Sequence, residues 1–372
     1  MLSESTSIKV PFVDLSRGFK RDRVSVFEYF ETLGLNSNFI LGDIVSDFET
    51  RIADYLNANY CISVNSGSDA LWLSLKALDI GPGDEVITVG NSFIATVWAI
   101  AAVGATPVIV DVGLDMNISP DAISDAVTTR TKAIVSVHLA GNPAELTLIN
   151  KLANEFNLLH VEDCAQAIGA EYSGVKIGSE SFVAAFSLHP LKNLGVWGDG
   201  GFVVTSERKL YDKLKLLRNH GLIDRDNVSS WGFNSRLDAF QAAVAIVRLD
   251  LLDKLNDRRI SIADYYRNSL ENYIDFQQIS DSSKCVFHNC IARSTHRNEI
   301  IEFARLRGIE LKIHYPIPVH RHNINSEPRV KCGRSLAMTE MFSQTIFSMP
   351  IFPELTDSEV NAVETVIRGF FK

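Results

Sequence analysis

The chain has 372 residues, 46% hydrophobic and 22% charged, with a mean hydropathy of +0.06. This is the composition of a globular protein with one large and one smaller domain, and it excludes a disordered or fibrous chain. With 36 Lys+Arg against 45 Asp+Glu the net charge is -9, which repels phosphate backbones and sets nucleic acid aside as a partner.

The five cysteines (Cys61, Cys164, Cys285, Cys290, Cys332) are odd in number, scattered and without a CxxC pair. Reduced thiols in a cytoplasmic protein fit that pattern. The opening residues MLSESTSIKV lack a basic segment followed by an apolar run, so no signal peptide is expected. No apolar stretch reaches the ~18 residues that a membrane span needs.

In chain order, Ile62–Val64 reads as a short strand and Asn65–Ser68 as a turn and helix cap. Leu71, Leu75 and Leu78 then continue at helical spacing. The apolar runs Glu85–Val89, Thr106–Asp111, Ala133–His138, Leu158–Glu162, Val183–Ser187 and Phe202–Thr205 follow. Several are apolar throughout, the mark of strands covered on both faces by helices. Gly81–Asp84 and Gly104–Pro107 punctuate them as turns. The sum is an α/β/α sandwich around a mainly parallel sheet. Beyond it, Leu237, Phe240, Val244, Val247 and Leu251 predict one long amphipathic helix from about Arg236 toward Leu270. Short apolar runs at Cys285–Ala292 and Glu310–His314, with a helix near the C-terminus, predict a small α+β domain. The expected division is residues 1–245 for the large domain and 246–372 for the small one.

Three segments carry chemistry. In Val64-Asn-Ser-Gly-Ser-Asp-Ala-Leu71 a glycine opens a helix, so backbone N–H groups and the helix dipole can hold an anion at Gly67 and Ser68. An ordinary capped helix start has the same pattern. In Val161-Glu-Asp-Cys-Ala-Gln166 an apolar strand ends in acids, where α/β sheets place ligands; Asp163 serves equally well as a helix cap. In the loop Leu188-His-Pro-Leu-Lys-Asn-Leu-Gly195, Lys192 lies among apolar neighbours that would desolvate it, as an amine nucleophile requires. A lone loop lysine is otherwise a surface charge.

Turn, acid and lysine in this order, with the surrounding stretches, resemble the DegT/DnrJ/EryC1/StrS family of sugar aminotransferases. The matching stretches include PFVDL (11–15), NSGSDAL (65–71), GPGDEVIT (81–88), NSFIAT (91–96), VEDCAQAIGA (161–170), FSLHPLKN (186–193), GDGGFVVT (198–205), NSRLDAFQAA (234–243) and IHYPIP (313–318). They cover nearly the whole chain.

The resemblance implies a fold-type I transferase, similar to aspartate aminotransferase, with pyridoxal 5'-phosphate as cofactor. Gly67, Ser68 and Ser187 look like ligands of its phosphate, and Phe93 matches the aromatic stacked on its ring. Asp163 would pair with the ring nitrogen, Gln166 would contact the ring hydroxyl, and Lys192 would form the Schiff base. Asn234 matches an asparagine that reaches the neighbouring subunit's phosphate, which implies a homodimer with shared sites. His220, His314 and Tyr315 would lie toward the sugar. Ser68 stands where threonine is commoner, and Trp197, in the variable loop after the lysine, is expected to shape the substrate pocket.

The implied reaction moves an amino group from an amino acid, L-glutamate in most of the family, to a keto-sugar, usually nucleotide-linked. Rivals are an acceptor without a nucleotide, such as an 8-oxo octulosonate, a sugar dehydratase, and a regulatory member without catalysis. Dehydratases of the family carry histidine in place of the lysine; here Lys192 holds the position and His189 lies three residues earlier. No metal site is expected: His314, His320 and His322 lack ligand spacing and an accompanying cysteine or acid. There is no P-loop and no G-x-S-x-G elbow.

Overall fold

The structure, a computed structural model, describes residues 9–324 and 328–372. The opening residues 1–8, which bear on the signal-peptide expectation, lie outside it. The apolar runs of the first two-thirds become one eight-stranded sheet. Its order is Tyr60–Val64, Gly201–Thr205, Val183–Ser187, Leu159–Asp163, Thr131–Val137, Glu85–Val89, Thr106–Val110 and Lys331–Cys332. Gly201–Thr205 runs antiparallel to both of its neighbours. The other five pairings are parallel.

Strand residues alternate between two apolar layers, as the pleat requires. Ala184 and Phe186 pack with helices Asp43–Leu56 and Ala239–Leu249. Val183 and Ala185 pack on the opposite face with helices Gly67–Ala77 and Arg208–Leu217. The α/β/α sandwich expected of fold type I is therefore present.

The long helix expected from Arg236 to Leu270 is instead two helices, Ala239–Leu249 and Leu252–Leu270. Leu249 and Leu252 belong to the large core. Ile262, Tyr266 and Leu270 belong to a second core with Val10, Ile300, Phe347 and Val363. The chain breaks at residues 250–251, and the second helix then passes from the large core at Leu252 to the second core from Ile262 onward. The second core sits on an antiparallel sheet of Asp275–Phe276, Cys290–Arg293 and Ile346–Met349. Of the two apolar runs expected there, Cys285–Ala292 yields only the strand from Cys290, and 310–314 yields a single bridge, Lys312 to Ser348. We propose the domain division near residue 245, although the change of core itself falls between Leu252 and Ile262, and Lys331–Cys332 crosses back to the large sheet.

Strand Tyr60–Val64, which delivers the glycine turn, is anchored by a buried ion pair. Glu49 accepts from the Ser63 amide (2.8 Å), from the Ser63 hydroxyl (2.7 Å) and from Arg218. Arg218 also donates to the Ser63 carbonyl at 2.9 Å. Removing one partner of such a pair strands the other charge in a dry setting. Glu49→Ala is expected to cost about 3–5 kcal/mol of stability, and Glu49→Gln, which retains an acceptor, clearly less. A urea midpoint for Glu49→Ala equal to the parent's would show that the pair anchors nothing.

Candidate active site

Strand register brings the three chemical segments to one edge of the sheet. Val64 and Ser187 both pair with Gly201, so the glycine turn and the end of the fifth run are neighbours. Leu159–Asp163 ends beside them, with Asp163 opposite Ala185. All three segments follow the carboxyl ends of strands that run in the same direction, where open α/β sheets bind ligands.

At the turn, Ser66, within the expected cap segment, caps helix Gly67–Ala77; its hydroxyl accepts from the Asp69 amide. The N–H groups of Gly67 and Ser68 have no acceptor within the helix, since they precede its first turn of bonds. A Cβ on Gly67 would lie 2.5 Å from the Ser187 Cβ, and one on Gly201 would lie 2.4 Å from the Ser66 carbonyl. Both glycines are required by this close approach. Two backbone donors and the Ser187 hydroxyl thus share a small cradle that suits a phosphate.

The Asp163 carboxylate is buried, 5% exposed. Its Oδ2 accepts from the Thr96 hydroxyl at 2.7 Å and its Oδ1 from the Ala165 amide at 3.1 Å. No helix follows it, so it is not a helix cap. Burial pushes the carboxyl up, while Thr96, the Ala165 amide and the Lys192 charge pull it down; the upward direction prevails. Lys192 forms no hydrogen bond or ion pair through its amine with any described residue. Burial lowers it to about 8 against the attraction of Asp163. Its loop is fixed just after the lysine: Asn193 donates to Asn256 (2.8 Å) and to the Val286 carbonyl (3.1 Å), and Arg248 donates to the Gly195 carbonyl.

Gln166 accepts from the Ala140 amide at 2.6 Å and donates to the Tyr315 hydroxyl at 3.3 Å. The Tyr315 ring lies 6.1 Å from that of Phe93, which is 54% exposed. Burial and Asp163 push the Tyr315 hydroxyl up to about 12. His314 bonds Ser348 at 3.0 Å, and burial with the Lys192 charge brings it down to about 4. Asp163, Gln166, Lys192, Phe93, His314 and Tyr315 thus form one group, with Gly67, Ser68 and Ser187 beside it.

Three expected residues stand apart. Asn234 lines a separate cavity of about 390 Å³ with Asn65, Asp199 and Arg236. His220 is exposed, and its amide donates to the Phe233 carbonyl. Trp197 packs on Phe19, Phe27 and Phe30 of helix Leu15–Leu35 rather than on the group around Lys192. Sequence reasoning passed over Thr96 and Ser92, although both lie within NSFIAT. The signal was a hydroxyl three residues after Phe93, on the same side of a starting helix.

Among the described residues one trio of metal-capable groups is close together: His138, Glu162 and Cys164. The Ala144 amide donates to His138 Nδ1 at 3.0 Å, so Nε2 carries the proton and donates to Glu162 at 3.1 Å. Ser181 donates to the other Glu162 oxygen. The His138 and Glu162 ligand atoms are thus already engaged, and burial pushes the Cys164 thiol well up. Ala144, His138, Glu162 and Ser181 form a hydrogen-bond chain that occupies the His138 and Glu162 atoms. No helix among the described residues is long and apolar enough to cross a membrane.

The profile of the DegT/DnrJ/EryC1/StrS aminotransferase family matches residues 22–368, and the chain belongs to this family. Its cofactor is pyridoxal 5'-phosphate. The chain is 38% identical over 371 residues to the dTDP-3-amino-3,4,6-trideoxy-alpha-D-glucose transaminase of Streptomyces venezuelae, covering 99% of this chain and 98% of that one. It is also 38% identical to the UDP-N-acetyl-3-dehydro-alpha-D-glucosamine 3-aminotransferase of Acidithiobacillus ferrooxidans, covering 99% of each. The crystal structure of S. venezuelae DesV in complex with a ketimine intermediate superposes with a TM-score of 0.94 at 38% identity, covering 98% of each chain.

An amine held near 8 attacks only when neutral. Its lowered value means it is uncharged above that pH, where an ordinary lysine is still protonated. Covalent capture of pyridoxal phosphate by the apoprotein should therefore accelerate about tenfold per pH unit up to about 8 and level off above it. Stopped-flow absorbance across this range is the check. A rate still climbing to pH 10 would mean that Lys192 is an ordinary, solvated lysine.

Proposed function

We propose that the chain transfers an amino group from an amino acid, L-glutamate, to the keto carbon at position 3 of a nucleotide-linked hexose. The observation that carries this reading is the pairing of an unpartnered, desolvated Lys192 with the buried Asp163 beside the Gly67–Ser187 cradle. Both relatives support the sugar: their names place the nitrogen at carbon 3, on dTDP in one and UDP in the other. Lys192 in place of histidine counts against the dehydratase reading.

The residues present fit the cofactor. The cradle closes over Gly67 so tightly that no side chain fits there, and its donors are neutral N–H and O–H groups suited to a phosphate. When bound, pyridoxal phosphate supplies a carbonyl carbon that carries the amino group and a ring that takes up electrons. Lys192 anchors it covalently and, once released, moves a proton at the reacting carbon. Asp163 holds a proton on the ring nitrogen by opposite charge. Gln166 contacts the ring hydroxyl while its amide stays tethered to Tyr315, and Phe93 covers the ring face. Gly67, Ser68 and Ser187 bind the phosphate.

We further propose a homodimer in which Asn234 completes the partner's phosphate site, with His220, His314 and Tyr315 toward the sugar. Ile223, Val228 and Trp231, which is 93% exposed, form an apolar surface on the loop before Asn234, as an interface would require. Five free cysteines support a cytoplasmic setting.

The test is direct. Purified protein incubated with pyridoxal phosphate, L-glutamate and 3-keto-hexoses on dTDP or UDP should yield the 3-amino sugar by mass spectrometry. Borohydride should fix the cofactor on Lys192. Asp163→Asn keeps the shape and removes the charge, so cofactor occupancy should largely survive. Turnover of both half-reactions should fall by orders of magnitude, since each ~1.4 kcal/mol lost costs tenfold. Near-normal turnover in Asp163→Asn would remove Asp163 from the mechanism.

A further inference from the structure

Helix Ile94–Ala102 begins immediately after Phe93, and Thr96 lies in its first turn. Thr96 is 1% exposed and Ser92 4%. Their hydroxyl oxygens are 2.9 Å apart, and Thr96 Oγ1 is 2.7 Å from Asp163 Oδ2. A hydroxyl has one proton, and a carboxylate has none to give. Thr96 therefore donates to Asp163, and Ser92 donates to Thr96. The chain of bonds has one direction, Ser92 to Thr96 to Asp163, and each bond polarises the next in a dry setting.

We propose that Thr96 is a positioning residue: its hydroxyl, itself held by Ser92, fixes the Asp163 carboxylate as an ionised acceptor for the cofactor's ring nitrogen. This rests on the role proposed above for Asp163. Three features of the site make Thr96 the controlling contact. The Ala165 amide is the only other hydrogen-bond donor to the carboxylate among the described residues. The Thr96 side chain is β-branched, so its rotamer is stiff and its hydroxyl stays put. And the same helix start carries Phe93 three residues earlier, so one element sets both the ring face and the group that meets the ring nitrogen.

Burial alone would drive Asp163 toward its neutral form. A neutral carboxyl cannot hold a proton on a weakly basic ring nitrogen by charge. The charged or titratable groups that act on Asp163 are Lys192 and His138, and Tyr315 and Cys164 feel its charge in return. None of them forms a hydrogen bond to the carboxylate side chain. The hydrogen bond from Thr96, at 2.7 Å, is the shorter of the two that favour the charged form.

The test compares the parent with Thr96→Val, which keeps the shape and loses the hydroxyl, and Thr96→Ser, which restores it. In apoprotein labelled at the aspartate carboxyl carbon, the Asp163 resonance should titrate higher by about one to two pH units in Thr96→Val. It should return toward the parent value in Thr96→Ser. With cofactor and substrates present, turnover of Thr96→Val should fall about 10- to 100-fold with the folded state retained by circular dichroism. Thr96→Ser should recover most of it. An Asp163 titration unmoved in Thr96→Val overturns the proposal, as does a Thr96→Ser variant as slow as Thr96→Val. If the titration moves but Asp163→Asn transaminates normally, the positioning contact stands and the assignment of Asp163 falls instead.

Discussion

The site is organised by two titratable groups that burial pushes in opposite directions. Desolvation raises the Asp163 carboxyl and lowers the Lys192 amine, so each tends toward its neutral form. Left to burial alone they would be an acid and an amine with no charge between them. The surrounding structure treats them differently. Asp163 receives two hydrogen-bond donors that favour its anion. Lys192 receives none, so its amine stays available for bonding. A carboxylate whose anion is favoured by hydrogen bonds and an amine lowered to about 8 are the combination that amino-group transfer through a protonated ring calls for.

The sheet makes that pairing possible. Asp163 and Ser187 end adjacent parallel strands, and Ser187 shares Gly201 as partner with Val64. Three strand ends therefore present an acid, a hydroxyl and a glycine turn at one edge without a long loop. The lysine loop hangs between Ser187 and Gly201, and Asn193 and Arg248 fasten it to the helices behind. Rigid placement matters because a misplaced reacting group forfeits the advantage of proximity.

Much of this was legible in the sequence. Glu85–Val89 and Val183–Ser187 appear with the bounds that their apolar runs give, and the acid, lysine and glycine turn meet as their positions at strand ends imply. What the sequence hid was tertiary. The stripe from Leu237 to Leu251 has helical spacing throughout, but the helix ends at Leu249 and the next begins at Leu252, and no local signal marks that the second helix leaves the large core for the small one by Ile262. Trp197 follows the lysine loop in sequence yet turns into the aromatic cluster of helix Leu15–Leu35. Thr96 is 67 residues from Asp163 along the chain. Only the packing of helix Ile94–Ala102 across the strand ends joins them.

The charge pattern around Lys192 also explains why the proposed phosphate cradle is built from neutral donors. His189, His288 and His314 all have their pKa values lowered, first by burial and then by the Lys192 charge among other cations. Each is thus disfavoured as a cation beside the amine. A lysine or arginine in the cradle would add such a charge permanently and push Lys192 further down, weakening the attraction it shares with Asp163. Backbone N–H groups at a helix start, with the Ser187 hydroxyl, supply positive potential without a net charge. They can hold an anion next to a reactive amine while leaving the balance between Lys192 and Asp163 intact. The glycine at position 67 is then a requirement of electrostatics as well as of space. A Cβ at Gly67 would lie 2.5 Å from the Ser187 Cβ, so only a bare backbone lets the turn and the Ser187 hydroxyl share the cradle.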